Sequence, residues 1–164
     1  MTVYDNRFDA NEWFIVGGLV IGLVWTIFLP KRFSRKHLFI YFMCGVYSGF
    51  FFDHSLGVLP VNFYDVNDRS SYQVMDFLSY LSYGTVSYLY FYTYDYLRLK
   101  PSRIPVFILV WSLISTGLEW LALLADVFHY QHGYKLAYSF PIYLIVQSCW
   151  IFLYHRLEKG RSLA

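Results

Sequence analysis

Charge is scarce in this 164-residue chain: Asp, Glu, Lys and Arg together make up 15% of it, against about 25% in an average soluble domain. So few charges cannot clothe a water-facing surface. The shortage excludes a disordered chain, a nucleic-acid binder and an ordinary soluble enzyme. Cysteine is scarce too. Cys44 and Cys149 lie in apolar runs and make neither a C-x-x-C pair nor a disulfide framework, so they read as small buried hydrophobes. A formal charge of +2 is too small to imply a polyanionic partner. The first apolar run is preceded by acids and followed by bases, the reverse of a cleavable signal peptide, so this segment is expected to stay as an anchor. No lipidation motif, internal repeat or low-complexity linker is present.

What is abundant is apolar surface. Hydrophobic residues reach 57% and aromatics 23%, with 16 Phe, 17 Tyr and 5 Trp. A helix needs ~20 mostly apolar residues to cross a bilayer core. Five runs approach that length, at about 13–29, 38–57, 77–94, 104–125 and 136–154. They are continuously apolar and do not alternate, which disfavours a barrel. Lipid also demands that backbone polar groups be satisfied within each segment. The sequence therefore predicts an all-α fold: residues 1–164 as one integral membrane bundle of five transmembrane helices.

The basic residues give the bundle a direction. Lys31, Arg32, Arg35 and Lys36 follow the first run. Arg98, Lys100 and Arg103 follow the third, and Arg156, Lys159 and Arg161 follow the fifth. Ten of the 13 Lys and Arg residues thus fall on one side, leaving Arg7, Arg69 and Lys135 on the other. Asp5, Asp9, Glu12, Asp53, Asp65, Asp68, Asp76 and Asp126 gather on that second side. The positive-inside rule then places the N-terminus outside and the C-terminus inside.

Within lipid, helices associate through close packing and hydrogen bonds. Gly18-x-x-x-Gly22 and Gly45-x-x-x-Gly49 offer small faces that would pack the first two helices as a hairpin, or serve a homodimer. Polar residues at helical spacing form three stripes: Asp76, Tyr80, Tyr83, Ser87, Tyr90 and Tyr94; Ser112, Ser115, Thr116 and Glu119; Ser139, Tyr143 and Gln147. They read either as polar glue between helices or as the lining of a hydrated cavity.

Glu119 is the sharpest feature. It precedes Asp126 by seven residues, which puts it roughly 10 Å below the outer end of its helix at 1.5 Å per residue. A carboxylate at that depth lines a cavity, finds a partner or takes up a proton. Asp53 and His54 fall near the outer end of the second run, Asp76 opens the third and Asp126 closes the fourth. With Glu119 they are expected to form an acidic, outward-facing mouth that concentrates cations. Asp53, His54 and Ser55 have triad residue types, but neighbours on a helix point about 100° apart and cannot act together. Asp65-x-Asn67-Asp68 departs from a Ca²⁺ loop at Arg69 and Ser70, and reads instead as an Asx-turn loop capping the third helix. Asp126, His129 and His132, at a spacing of three, would share one helix face if the fourth helix continued outward. They could then hold a divalent transition metal, with Gly133 ending the helix. No cofactor is otherwise expected.

At Leu29-Pro30-Lys31-Arg32-Phe33, Asp53-x-x-Leu56-Gly57, Phe63-Tyr64-Asp65-x-Asn67-Asp68, Trp111-Ser112-Leu113, Glu119-Trp120 and Tyr138-Ser139-Phe140-Pro141-Ile142-Tyr143, most of the chain resembles a family of small multi-pass membrane proteins of Gram-positive, often spore-forming bacteria. The resemblance implies a bacterial plasma membrane and supplies no substrate, cofactor or catalytic residue. Three functions follow as expectations. The first is binding or transport of a cation, proton or cationic small molecule through the acidic mouth. The second is a structural or assembly role against a membrane partner or a second copy. The third is a membrane-embedded enzyme using Glu119 as acid/base. The lipid bilayer is the expected surrounding, and nucleic acid is not an expected partner.

Overall fold

The computed structural model describes residues 8–67 and 74–158. Asp5, Arg7, Asp68, Arg69, Lys159 and Arg161 lie outside the described residues. Among those described are five helices: α1 (Ala10–Phe28), α2 (Arg35–Leu56), α3 (Val74–Leu97), α4 (Ile104–Leu124) and α5 (Leu136–Glu158). A single turn of 3-10 helix, Pro101–Arg103, leads into α4. Local sequence sets the starts. Asp9 and Glu12 close a capping box on α1, and Ser34 caps α2 by accepting from the His37 amide.

The described residues are mostly helical, as expected, with one addition to the helices. Two short strands, β1 (Tyr64–Val66) and β2 (Phe128–Tyr130), pair antiparallel, with Tyr64 opposite Tyr130 and Asp65 opposite His129. This ribbon crosses the end of the bundle where α2 and α4 finish. Its opposite, the basic end, is where α1 finishes and α2 begins. Residues 64–66 fall in the segment expected as loop, and α4 ends at Leu124, so the condition that it continue through residues 126–132 is not met. A strand of three residues is too short to show periodicity against its surroundings.

Helix α3 is the axis of the bundle, with eleven of its residues buried, more than in any other helix described. It packs against both α1 and α2, while α4 and α5 pair with each other. The small faces therefore do not pack α1 on α2 as a hairpin: Gly22, Gly45 and Gly49 receive α3, while a Cβ on Gly18 would meet nothing within 4 Å. A Cβ on Gly45 would stand 2.0 Å from the Tyr83 carbonyl oxygen, and one on Gly49 would strike the Tyr83 ring. One on Gly22 would meet the Thr85 hydroxyl, also at 2.0 Å. Ser87, fully buried on α3, donates to the Tyr41 carbonyl at 2.7 Å and accepts from the Gly45 amide at 3.0 Å, fastening the close approach.

The axial position explains a difference in apolarity. Among the described residues, three helices are long and apolar enough to cross a membrane: Ala10–Phe28, Pro101–Leu124 and Leu136–Glu158, with mean hydropathy of 1.6, 1.8 and 1.6. These present exposed apolar side chains such as Ile21, Ile27, Phe28, Val106, Leu113, Ile145 and Phe152. Helix α3 faces its neighbours instead, so its tyrosines and serines need hydrogen-bond partners rather than apolarity. Towards the basic end, aromatic rings fill the bundle. Tyr41 stacks on Phe91 at 4.0 Å, and Tyr90 meets Phe107, Trp111 and Trp150 at 5.0, 5.6 and 5.4 Å. Such pairs add about 0.5–1.5 kcal/mol each beyond area burial.

Candidate functional site

Between the aromatic block and the ribbon lies a cavity of about 260 Å³ that receives side chains from all five helices. Its wall is mainly apolar, with Phe14, Phe52, Val86 and Val146 around it and Trp111 and Trp150 towards the aromatic block. Two carboxylates line it: Asp53 from α2 and Glu119 from α4. Residues 66 positions apart in the chain thus share one space.

Glu119 is buried and fully engaged. Its Oε1 accepts from the Tyr130 hydroxyl at 2.5 Å and from Ser139 at 2.7 Å, and its Oε2 accepts from Tyr143 at 2.8 Å. Tyr134 extends the group by bonding Ser139 at 3.1 Å. The stripe below it is glue: Ser112 donates to Gln147 Oε1 at 3.0 Å, and Gln147 Nε2 donates to Ser115 at 2.9 Å. The α4–α5 hairpin is therefore zipped by hydrogen bonds along its inner face.

Asp53 is engaged on one side only. Tyr64 donates to its Oδ1 at 2.9 Å. The Tyr80 hydroxyl also hydrogen-bonds this carboxyl, and Asp76 and Glu119 are within electrostatic reach of it. Its other oxygen, Oδ2, is buried without a hydrogen-bond partner. A buried carboxylate oxygen with no donor is costly, because its water has been removed and not replaced.

The ribbon ties the two acids together. Tyr64 holds Asp53 and Tyr130 holds Glu119, and these tyrosines are directly paired across the strands. Burial, reinforced by the adjoining carboxylates, pushes both phenol pKa values well up, so both hydroxyls remain donors. The ribbon is itself anchored: Gln131 donates to Asp65, and the Asn67 amide donates to the Val127 carbonyl at 2.8 Å. Neither tyrosine stood out in the sequence as a partner for an acid. The available signal was a pair of aromatic-flanked segments at matching ends of two helices, which becomes meaningful only once they pair.

The remaining expected mouth residues do not line the cavity. His54 is exposed, stacks on Phe50 at 4.0 Å and bonds the Phe50 carbonyl. Asp76 is buried beside the ribbon, where Asn67 Nδ2 donates to it at 2.5 Å. Asp126 ends α4 instead of facing inward. Its φ of 55° is left-handed, Val127 N–H reaches Ala122 O at 2.9 Å, and Asp126 N–H reaches Leu123 O at 3.2 Å. These are the two bonds of a Schellman cap, completed by apolar contact of Val127 with Ala122.

That cap also overturns the continuous helix on which the metal expectation rested. His129 lies on β2 opposite Asp65, and His132 sits beyond it at φ 49°, bonding the Asn62 carbonyl at 2.7 Å. Gly133, at φ 78°, turns the chain after the strand rather than ending a helix. Among the described residues, no three His, Cys, Asp or Glu side chains gather closely enough to hold a metal ion.

No protein-family model matches this chain, and neither does any curated protein or solved structure.

Proposed function

We propose that this is a five-span integral membrane protein of a bacterial plasma membrane, N-terminus outside and C-terminus inside, whose outer half binds a cationic ligand. The observation that carries the reading is the shared cavity. Two acids from different helices line it, one has a buried oxygen without a donor, and no described Lys, Arg or His pairs with either. A low-dielectric chamber holding uncompensated negative charge favours cations. The span of α3 fits this reading because the helices around it supply the lipid-facing surface, and α2 adds exposed Phe39, Met43, Phe50 and Phe51 to that surface. The basic end, with Lys31, Arg35, Lys36 and Lys100, would face the cytoplasm.

Binding is favoured over a through-going pore. Tyr90 and Phe91 are fully buried, and their rings pack with Phe107, Trp111 and Trp150 across the path from the cavity to the basic end. The test is thermal unfolding of the protein in nanodiscs with Na⁺, Ca²⁺, methylammonium or phenethylammonium. At least one cation should raise Tm at constant ionic strength, and Asp53→Asn should remove the rise. If none shifts Tm, the binding reading fails.

A further inference from the structure

Resting on that reading, we infer that the cavity's ligand is an organic monocation: a primary amine carrying an apolar, ring-sized body. The cavity is polar at one end and apolar at the other. Asp53, Glu119, Tyr64 and Ser139 lie at the ribbon end, whereas Trp111 and Trp150 lie towards the aromatic block. A ligand matching both ends presents its charge to the ribbon and its body to the tryptophans.

The number of free acceptors sets the charge. Glu119 already accepts three hydrogen bonds with a donor on each oxygen, so it contributes chiefly a field. Asp53 Oδ2 is the vacant one. A single ammonium N–H suits it, and the remaining N–H groups can reach hydroxyl lone pairs or ring faces. The cavity serines Ser48, Ser79 and Ser82 direct their protons to carbonyls of their own helices, leaving oxygen lone pairs for such a donor. A second ammonium on the ligand would find no second carboxylate oxygen free of donors in the cavity.

Size and lining separate this ligand from the alternatives. Ca²⁺ takes about 6–8 oxygen ligands, and one vacant carboxylate oxygen in a largely apolar chamber does not supply them. About 260 Å³ is ample room for an organic molecule, and far more than one ion occupies. A zwitterionic lipid headgroup would bring its phosphate beside two carboxylates, where like charges repel. The ammonium of a free amine brings no anion with it.

The test uses phenethylammonium as probe, with 2-phenylethanol as its neutral counterpart. Protein in nanodiscs is titrated and followed by tryptophan fluorescence, since Trp111 and Trp150 line the cavity. Saturable quenching is expected, with the alcohol and Asp53→Asn each weakening binding about thirtyfold or more, as for a buried charge pair broken on one side. Val146→Phe narrows the apolar end without touching an acid. It should weaken phenethylammonium about tenfold and leave methylammonium unchanged, each variant first matched to the parent by its melting curve. Asp53-dependent stabilisation by Na⁺ or Ca²⁺ without amine binding overturns the amine assignment and leaves the cation reading standing. Equal binding of alcohol and amine overturns both, and so does failure of every cation to bind. Indifference to Val146→Phe removes the apolar body from the assignment.

Discussion

The two ends of the bundle treat sheltered acids differently. At the basic end, Asp95 receives Arg32 Nε at 2.6 Å on one oxygen and the Tyr154 hydroxyl at 2.6 Å on the other. Arg32 also lies over the rings of Tyr92 and Tyr96. Glu158 takes His37 Nδ1 and the Tyr41 hydroxyl on one oxygen, each at 2.9 Å. At the ribbon end, Asp53 and Glu119 are met only by hydroxyls among the described hydrogen bonds, and one oxygen of Asp53 by none. The same tyrosine chemistry serves both ends; what distinguishes them is the nitrogen partner, the Arg32 guanidinium on Asp95 and the His37 ring on Glu158. Where that partner is built in, the acid fastens helices together. Where it is lacking, an acid oxygen is left without a donor.

The sharpest way to break this contrast is to neutralise one acid at each end. Asp95→Asn removes a charge-assisted bond that links the segment after α1 to α3 and weakens the one that links α3 to α5. A loss of about 2 kcal/mol is expected, reduced towards 1 by the partial exposure of the pair. It is read as a fall in Tm. A variant as stable as the parent would show that the ion pair is ornamental, and the contrast would lose its structural half.

Tyr130→Phe should have a smaller effect. It removes one of three donors to Glu119 and half of the cross-strand latch, for a cost of about 1 kcal/mol. Hydrogen exchange should rise at the amides of β1 and β2 while the aromatic block stays protected. Uniform exchange across the chain would show that the ribbon is not held through Glu119.

Asp53→Asn should have the smallest effect on stability, within about 0.5 kcal/mol of the parent or on the stabilising side, because it removes a sheltered charge while keeping the oxygen that accepts from Tyr64. Substantial destabilisation would mean that Asp53 already has a partner that satisfies it, and the ribbon end would resemble the basic end after all. These three variants, compared in one melting series, rank the acids by how well the fold itself compensates them.

Much of this arrangement was legible in the residues. The apolar runs marked the five helices to within a few residues, because a helix of that length and composition has few alternatives. The depth of Glu119 marked it as sheltered, and its shelter is indeed another helix, through Ser139 and Tyr143. The glycine faces correctly marked close approach and gave the wrong partner. A small-residue face states how near a neighbour comes, and Tyr83 and Thr85 of α3 became that neighbour only by the order of packing. Asp126 and His54 were misread because sequence position fixes depth and not direction. One closes a helix cap, and the other points outward.

Composition and run length by themselves determined an apolar helical chain with acids gathered at one side and bases at the other, since these follow from local hydropathy and charge order. Tertiary structure alone decided that α3 would be the axis, that Tyr64 and Tyr130 would meet in a ribbon, and that Asp53 would keep an oxygen without a donor. Those outcomes depend on which surfaces exclude water from one another, and distant segments acquire that relation only when they are packed.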